Sequence, residues 1–290
     1  MTPAGQDDPA AEARRPRRRG WLTLAVVTAV AIAAGAFGAR WIIEEFRTPT
    51  CEFTAGGTSE QLTPEQAANA ATISMITLER GLPPRAATIA LATAIQESKL
   101  RNLNYGDADS LGLFQQRPSQ GWGTPEQVTD PVFATNAFLD ALVAIPDWQD
   151  WVVTEAAQEV QRSRYPEAYA DHEGEARVIA SGLVGQTHAA VACRLDRVEE
   201  AGSASDVLAK AERTFSGRGS VAGDTVTLQA AGADASWAIA GWAVAHAEVE
   251  HIVRVEVADR VWNRHDNPLT WQSTGASPAD GAVIITVHTP

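Results

Sequence analysis

The chain has 290 residues, 45% hydrophobic and 20% charged, with a formal net charge of −13. Such a composition is globular rather than disordered, and the length holds one large domain or two ordinary ones. An acidic surface repels nucleic acid, no basic patch with interleaved aromatics relieves it, and nucleic acid is excluded as a partner.

Residues 1–20, "MTPAGQDDPAAEARRPRRRG", lack apolar periodicity and read as a basic tail. The next stretch, "WLTLAVVTAVAIAAGAFGA", carries no charge. A helix crossing roughly 30 Å of hydrocarbon needs about 20 residues, so residues 21–43 are expected to form a single-pass transmembrane anchor. Trp21 and Trp41 bracket it, and the arginines before it hold the N-terminus in the cytoplasm. The competing reading is a secretory signal cleaved after "AGA" at 34–36. Both readings place the rest of the chain outside the cytoplasm. The charge divides accordingly: the first 40 residues hold six arginines against three acids, and the remainder holds 17 basic against 33 acidic residues.

Two cysteines, Cys51 and Cys193, follow in the exported part. Neither sits in a C-x-x-C motif, which speaks against thioredoxin-type redox chemistry or zinc. Outside the cytosol such a pair is expected as a disulfide, closing a loop of about 140 residues that the chain-entropy model values at about 4 to 5 kcal/mol. Two unpaired buried thiols are the alternative.

Between the cysteines helix-start signals recur. "LTPEQAANAATISMITLERG" opens with Thr63 as N-cap, Pro64 and a capping-box Gln66, and stops at Gly81. "GLPPRAATIALATAIQES" follows. Thr124–Gln127 repeats the "TPEQ" signal, Asp130 and Pro131 open "DPVFATNAFLDALVAI", and "DWVVTEAAQEVQRS" and "PEAYADHEGEARVIASGLVG" supply two more helical patterns. No run alternates long enough to demand a strand. Residues 52–195 are therefore expected to form a mainly α domain with one long polar loop.

Residues 196–206, which include "EEAGSASD", read as a linker. Beyond them, residues 207–290 alternate between helical ("VLAKAERTF", "ASWAIAGWAVAHAEVEHI") and extended ("DTVTLQA", "VRVEVADRVW", "GAVIITVH") patterns, as a small α/β domain does. His246 and His251 have the wrong spacing for two ligands on one helical face. Trp237 and Trp242 are expected to pack that helix on the sheet, while Trp262 or Trp271 is a candidate for meeting glycan.

The chemistry-bearing stretch is "AIQESKLRNLNYGDADSLGLFQQRPSQGWG", residues 94–123. On its helix Ala86, Ala90, Ala94 and Glu97 share one stripe. Small apolar neighbours let other helices approach and partly dry the Glu97 carboxyl, which raises its pKa, as an acid holding its proton near neutrality requires. The negative end of the helix pushes the same way. An ordinary exposed glutamate is the bland alternative. The loop adds amides, Asp107 and Asp109, and the aromatics Tyr105, Phe114 and Trp122. Sugars have hydroxyl edges and weakly polar faces, so such a mixture suits a saccharide; Phe114 and Leu113 fit the core better. A calcium loop would need an acid or amide where Leu111 stands and a glutamate near Pro118. Neither is present, and no metal or other cofactor is expected.

"QES", about a dozen residues, then "SLGLFQQRP" resembles the lysozyme-like domain of lytic transglycosylases over roughly residues 62–185. In that family a Glu-Ser pair ends a helix, and a Gly-Leu-Met-Gln type segment follows a polar loop. "AAQEVQRSRYPEAYADHE" is similar to the downstream helical part of actinobacterial members, and the C-terminal region resembles a module found after their wall-hydrolase domains. The resemblance implies that Glu97 is the catalytic acid/base, that Ser98, Gln115 and Tyr169 bind or position substrate, and that the substrate is the glycan strand of peptidoglycan. Tyr105 and Trp122 join the substrate-binding candidates. One carboxyl suffices for the family's reaction. A muramidase-type hydrolase would instead use a second carboxylate roughly 5 to 9.5 Å away, for which Asp107 and Asp109 are the nearest candidates in sequence. Phe114 stands where Met is usual, Gln116 where Ile is common, and the Ala-Tyr-Asn-Ala-Gly block is absent. Those departures keep a third reading open, a non-catalytic glycan-binding or scaffold module. The sequence names no protein partner.

Overall fold

The computed structural model describes residues 48–161 and 166–290, together with a few helical positions between Ala25 and Gly35. The expected basic tail, and the expected anchor apart from those positions, lie outside the described residues. Among the described residues no helix is long and apolar enough to cross a membrane. The chain divides into two units, Met1–Thr48 and Pro49–Pro290, and among the described residues every strand lies in the second.

That unit begins with a hairpin. In β1 (Thr50–Ala55) Cys51 and Phe53 turn inward while Thr50, Glu52 and Thr54 stay partly exposed. Gly56 and Gly57, at φ 59° and 82°, make the two-residue turn whose twist suits a hairpin, and β2 (Thr58–Leu62) returns antiparallel. Far along the chain β3 (Val191–Arg194) pairs with the other edge of β1, placing Cys193 opposite Cys51. The two are joined as a disulfide. The expectation of a mainly α domain over 52–195 with no strand demanded is thus corrected at both ends: its termini close in a three-stranded sheet. These strands span four to six residues, too few for alternation to stand out, and β3 is buried at its first three positions without alternation.

Helix α1 (Pro64–Glu79) starts on the expected capping box, with reciprocal Thr63 and Gln66 bonds, and buries an unbroken run from Ala70 to Thr77. A helix apolar on all sides is a central one, and α1 packs against α2 (Pro84–Ser98), against a later helix bearing Phe138, and against two C-terminal helices. The second "TPEQ" also forms its capping box, yet its helix α3 (Pro125–Val128) lasts only four residues. Asp130 and Pro131 restart the chain as α4 (Pro131–Val143), with the Asp130 carboxylate accepting from the Val132 and Phe133 amides. Then come α5 (Val153–Gln161), a 3₁₀ helix (Pro166–His172) and α6 (Glu173–Leu183).

The C-terminal part opens with α7 (Ala204–Phe215), capped by Ser203, so regular structure begins inside the expected linker. The hairpin β4 (Arg218–Ala222) and β5 (Thr225–Gln229) follows, then α8 (Ala233–Ala245), β6 (Ile252–Val257), β7 (Arg260–Asn263), β8 (Gln272–Ser273) and β9 (Ala282–Val287). The strands form one antiparallel sheet in the order β4-β5-β9-β6-β7-β8. The whole is a mixed α/β architecture, a helical region plus antiparallel sheets. Helix α8 is buried from Ser236 to Ala245 and contacts α1, α6 and β3 as well as its own sheet. Both of its tryptophans are buried, with ring partners that lie off the strands: Trp237 stacks on His188 and meets Trp271 edge-on, and Trp242 meets Phe215. His246 is buried against Thr72 of α1, and burial pushes its pKa down to about 3, so it is neutral. Trp262 is fully buried, and Trp271 donates its indole N–H to the Val191 carbonyl. The idea that Trp262 meets glycan is therefore corrected, because its ring has no exposed face.

Candidate functional site

Helix α2 ends where its polar loop begins. Lys99 and Leu100 both adopt left-handed backbone, at φ 55° and 57°, and the Leu100 amide reaches back 3.0 Å to the Ala94 carbonyl. Helix α1 grips this turn: the Gln66 side-chain amide donates to the Lys99 carbonyl and that of Asn69 to the Leu100 carbonyl, each at 2.8 Å. Leu100 is buried beneath it. The last helical turn, carrying Glu97 and Ser98, is held against α1 from below.

Ser98 is buried, with its hydroxyl 2.7 Å from the Leu113 carbonyl and 3.0 Å from that of Ala94. It ties the "GLF" segment to the helix end. Gly112 sits at φ 76°, and a β-carbon there would lie 2.1 Å from the Val128 carbonyl oxygen. Only glycine allows that approach. Phe114 is buried and stacks on Phe138 at 4.7 Å, as its core assignment requires. Gln115, at φ 49°, turns its side-chain amide back toward the Tyr105 and Gly112 carbonyls, each 3.3 Å away. The buried Gln116 donates to the Ala134 carbonyl at 3.0 Å. The two glutamines brace the loop from inside.

Glu97 is half-buried. The phenol of Tyr169, itself fully buried, donates to Glu97 Oε1 at 2.7 Å across 72 residues of chain. Gln161, the last residue of α5, donates at 2.8 Å to the Phe114 carbonyl and also hydrogen-bonds the Glu97 carboxyl. Burial pushes the Glu97 pKa above the ordinary glutamate value, while the Tyr169 and Gln161 bonds pull the other way and only partly offset it. Next door, His172 and Gln96 are joined at 3.0 Å, so the 3₁₀ helix is fastened to the end of α2 at two points. The result is a carboxyl that keeps its proton to higher pH than usual, with one oxygen fixed by a phenol.

Asp109 has a different role. Its Oδ1 takes the Arg117 Nε and the Ser119 hydroxyl, each at 2.9 Å, and its Oδ2 the Ser119 amide at 2.7 Å. The Arg117 guanidinium, then the Ser119 amide and hydroxyl, pull its pKa down to about 2. It is a permanently ionised staple of the loop. Asp107 is exposed at the loop surface, Tyr105 is 65% exposed, and Trp122 is half-buried against the core.

The fold thus joins Glu97 directly to Tyr169, and joins Ser98 and Gln115 to the loop beside it. Gln161 is the participant that the sequence does not announce. It lies 64 positions after Glu97 in a helix whose polar residues all look alike, and no spacing singles it out. Among the described residues no cluster of three or more His, Cys, Asp or Glu side chains is arranged to hold a metal ion. No family model and no curated relative matches the chain.

Proposed function

We propose that this chain is an exported peptidoglycan lytic transglycosylase that cleaves the bond between N-acetylmuramic acid and N-acetylglucosamine with Glu97 as its single acid/base. The observation that carries the proposal is the half-buried carboxyl at the end of α2, its proton retained by burial and its Oε1 oriented by Tyr169. Protonated Glu97 donates to the glycosidic oxygen, and the C1–O bond breaks as positive charge builds on the muramyl ring. The carboxylate left behind takes the proton of that ring's C6 hydroxyl, whose oxygen bonds to C1 and closes a 1,6-anhydro product without water. Acid-base catalysis of this kind contributes about 10² to 10⁴ in rate.

The engagement of Asp109 favours the single-acid route over hydrolysis. A carboxylate held by Arg117 and by Ser119 is poorly placed to activate water or to act as a nucleophile. Tyr105 and Trp122 supply aromatic faces for sugar rings, and Gln115 shapes the loop that carries them. The Cys51–Cys193 disulfide agrees with an extracytoplasmic location, and the apolar stretch at 21–43 supplies a single-pass anchor. Digesting purified peptidoglycan with the full chain and with Glu97→Gln tests the reading. The proposal requires 1,6-anhydromuropeptides from the first and none from the second, and reducing-end products would mean a hydrolase.

A further inference from the structure

The N-terminal end of α2 borders an opening. Two adjoining cavities, of about 190 and 700 Å³, share Pro84 and Gln186 as a common wall. The smaller is lined by Arg85, Thr88, Arg177 and Ser181. Arg85 is half-buried; it donates through Nη2 to the Trp151 carbonyl, while its buried Nε has no hydrogen-bond partner among the described residues. Arg177 is 65% exposed and, among the described residues, forms its one ion pair with Glu173 one helical turn away. Two guanidiniums, two hydroxyls and the positive end of a fifteen-residue helix line a space with room for an anionic group.

The larger cavity differs in chemistry. Met75, Leu78, Val184, Phe215 and Ile239 give it an apolar floor between α1, the end of α6, α7 and α8. Its rim carries the amides of Gln186 and Gln229 and the charges of Glu79, Asp234 and Arg218. Asp234 already meets His188 at 2.9 Å, whereas Glu79 and Arg218 make no ion pair with any other described residue. A volume of this order is usual for a ligand site, and junctions between lobes are where such sites occur. An acyl chain would leave the rim amides and charges without partners. A peptide uses every part: carboxylate between the arginines, side chains on the floor, backbone against the glutamines, amine toward Glu79 and Asp234.

We infer that the joined cavities bind a short peptide bearing a free carboxylate and a free amine. That such a peptide is one hanging from the glycan cut at Glu97 rests on the proposed function; the peptide site itself does not. Arg85 and Glu97 are 12 positions apart on α2, about 18 Å along its axis, so the peptide is held away from the reacting sugar and the site reads wall peptides independently of cleavage.

The test is calorimetry on the full chain in lipid nanodiscs with the pentapeptide L-Ala-D-isoglutaminyl-L-Lys-D-Ala-D-Ala, whose C-terminal carboxylate is its only one, with its C-terminal amide, and with sodium decanoate. The peptide should bind, its amide at least tenfold more weakly. Arg85→Gln and the surface variant Arg177→Gln should each weaken binding at least fivefold, Ala235→Trp, which fills the larger cavity, should abolish it, and Glu97→Gln should leave it unchanged. Absence of binding at millimolar peptide, equal binding of the amide, binding that survives both Arg177→Gln and Ala235→Trp, or uptake of decanoate without peptide would each overturn the inference. Peptide binding without glycan cleavage would defeat the catalytic reading alone, and cleavage without peptide binding would defeat this one alone.

Discussion

The Tyr169 phenol lies 2.7 Å from Glu97 Oε1 and joins two segments 72 residues apart. The bond orients the acid, and it also lowers the carboxyl's pKa against the larger effect of burial. Tyr169→Phe removes the donor and leaves burial in place, so the Glu97 pKa should rise further. On the proposed mechanism the acid works protonated, so the alkaline limb of the kcat/KM profile should move to higher pH, while kcat falls roughly tenfold from lost orientation. A profile recorded from pH 4 to 9 checks both, and an alkaline limb that stays in place would show that this contact does not tune the acid.

Stability gives a second view of the same carboxyl. Its pKa is raised on folding, so the folded chain binds its proton more tightly than the unfolded chain. The stabilisation from that proton is complete below the unfolded value near 4.5 and is lost as pH climbs through the folded value. Glu97→Gln removes the ionisable group. The variant should melt above the wild type at pH 8, with the gap closing toward pH 4. Thermal unfolding of both proteins across that range provides the check, and a gap independent of pH would contradict the burial argument.

Asp109 tests the choice between one carboxylate and two. Its pKa of about 2 keeps it ionised throughout the working range, and its contacts are internal to the loop. Asp109→Asn should leave the rate within a few-fold and should speed hydrogen exchange at Ser119. Its stabilising effect is present above the unfolded value and disappears as pH falls through about 2, so the acid end is where wild type and variant converge. A loss of about 10² to 10⁴ at neutral pH, the usual cost of removing a catalytic base, would favour the hydrolase.

The Cys51–Cys193 bond closes a loop spanning 142 positions. Chain entropy values that constraint at about 4 to 5 kcal/mol. Replacing both cysteines with serine should lower the unfolding free energy by about that amount in urea titrations, and reduced wild type should match the double variant.

Ser98→Ala leaves the Leu113 carbonyl without its buried donor. A cost of roughly 1 to 3 kcal/mol follows, together with loosening of the loop and a fall in kcat. Denaturation and kinetics on one preparation measure both. An unaltered fold with raised KM alone would assign Ser98 to substrate instead.

Much of the helical region was legible because its boundaries are written locally. Thr63 with Gln66, Thr124 with Gln127 and Asp130 with Pro131 each state a helix start in four residues or fewer. The three-stranded sheet was not, since β1 and β3 meet through pairing across the whole region, and three apolar residues at 191–193 resemble any buried segment. Its one local mark is the Gly56–Gly57 hairpin turn. The exposed β4 left no alternation to read. At the site, Glu97 declared itself by ending a small-residue helix ahead of a polar loop, whereas Gln161 reaches it only through the packing of α5 beside α2, which no local pattern states.

The most direct test of a single proton-shuttling carboxyl at position 97 is mass spectrometry of peptidoglycan digests made by the full-length wild type and by Glu97→Gln. The account predicts anhydro-ended muropeptides from the wild type and intact glycan from a variant whose circular dichroism is unaltered. Anhydro products persisting with glutamine at 97 would contradict it.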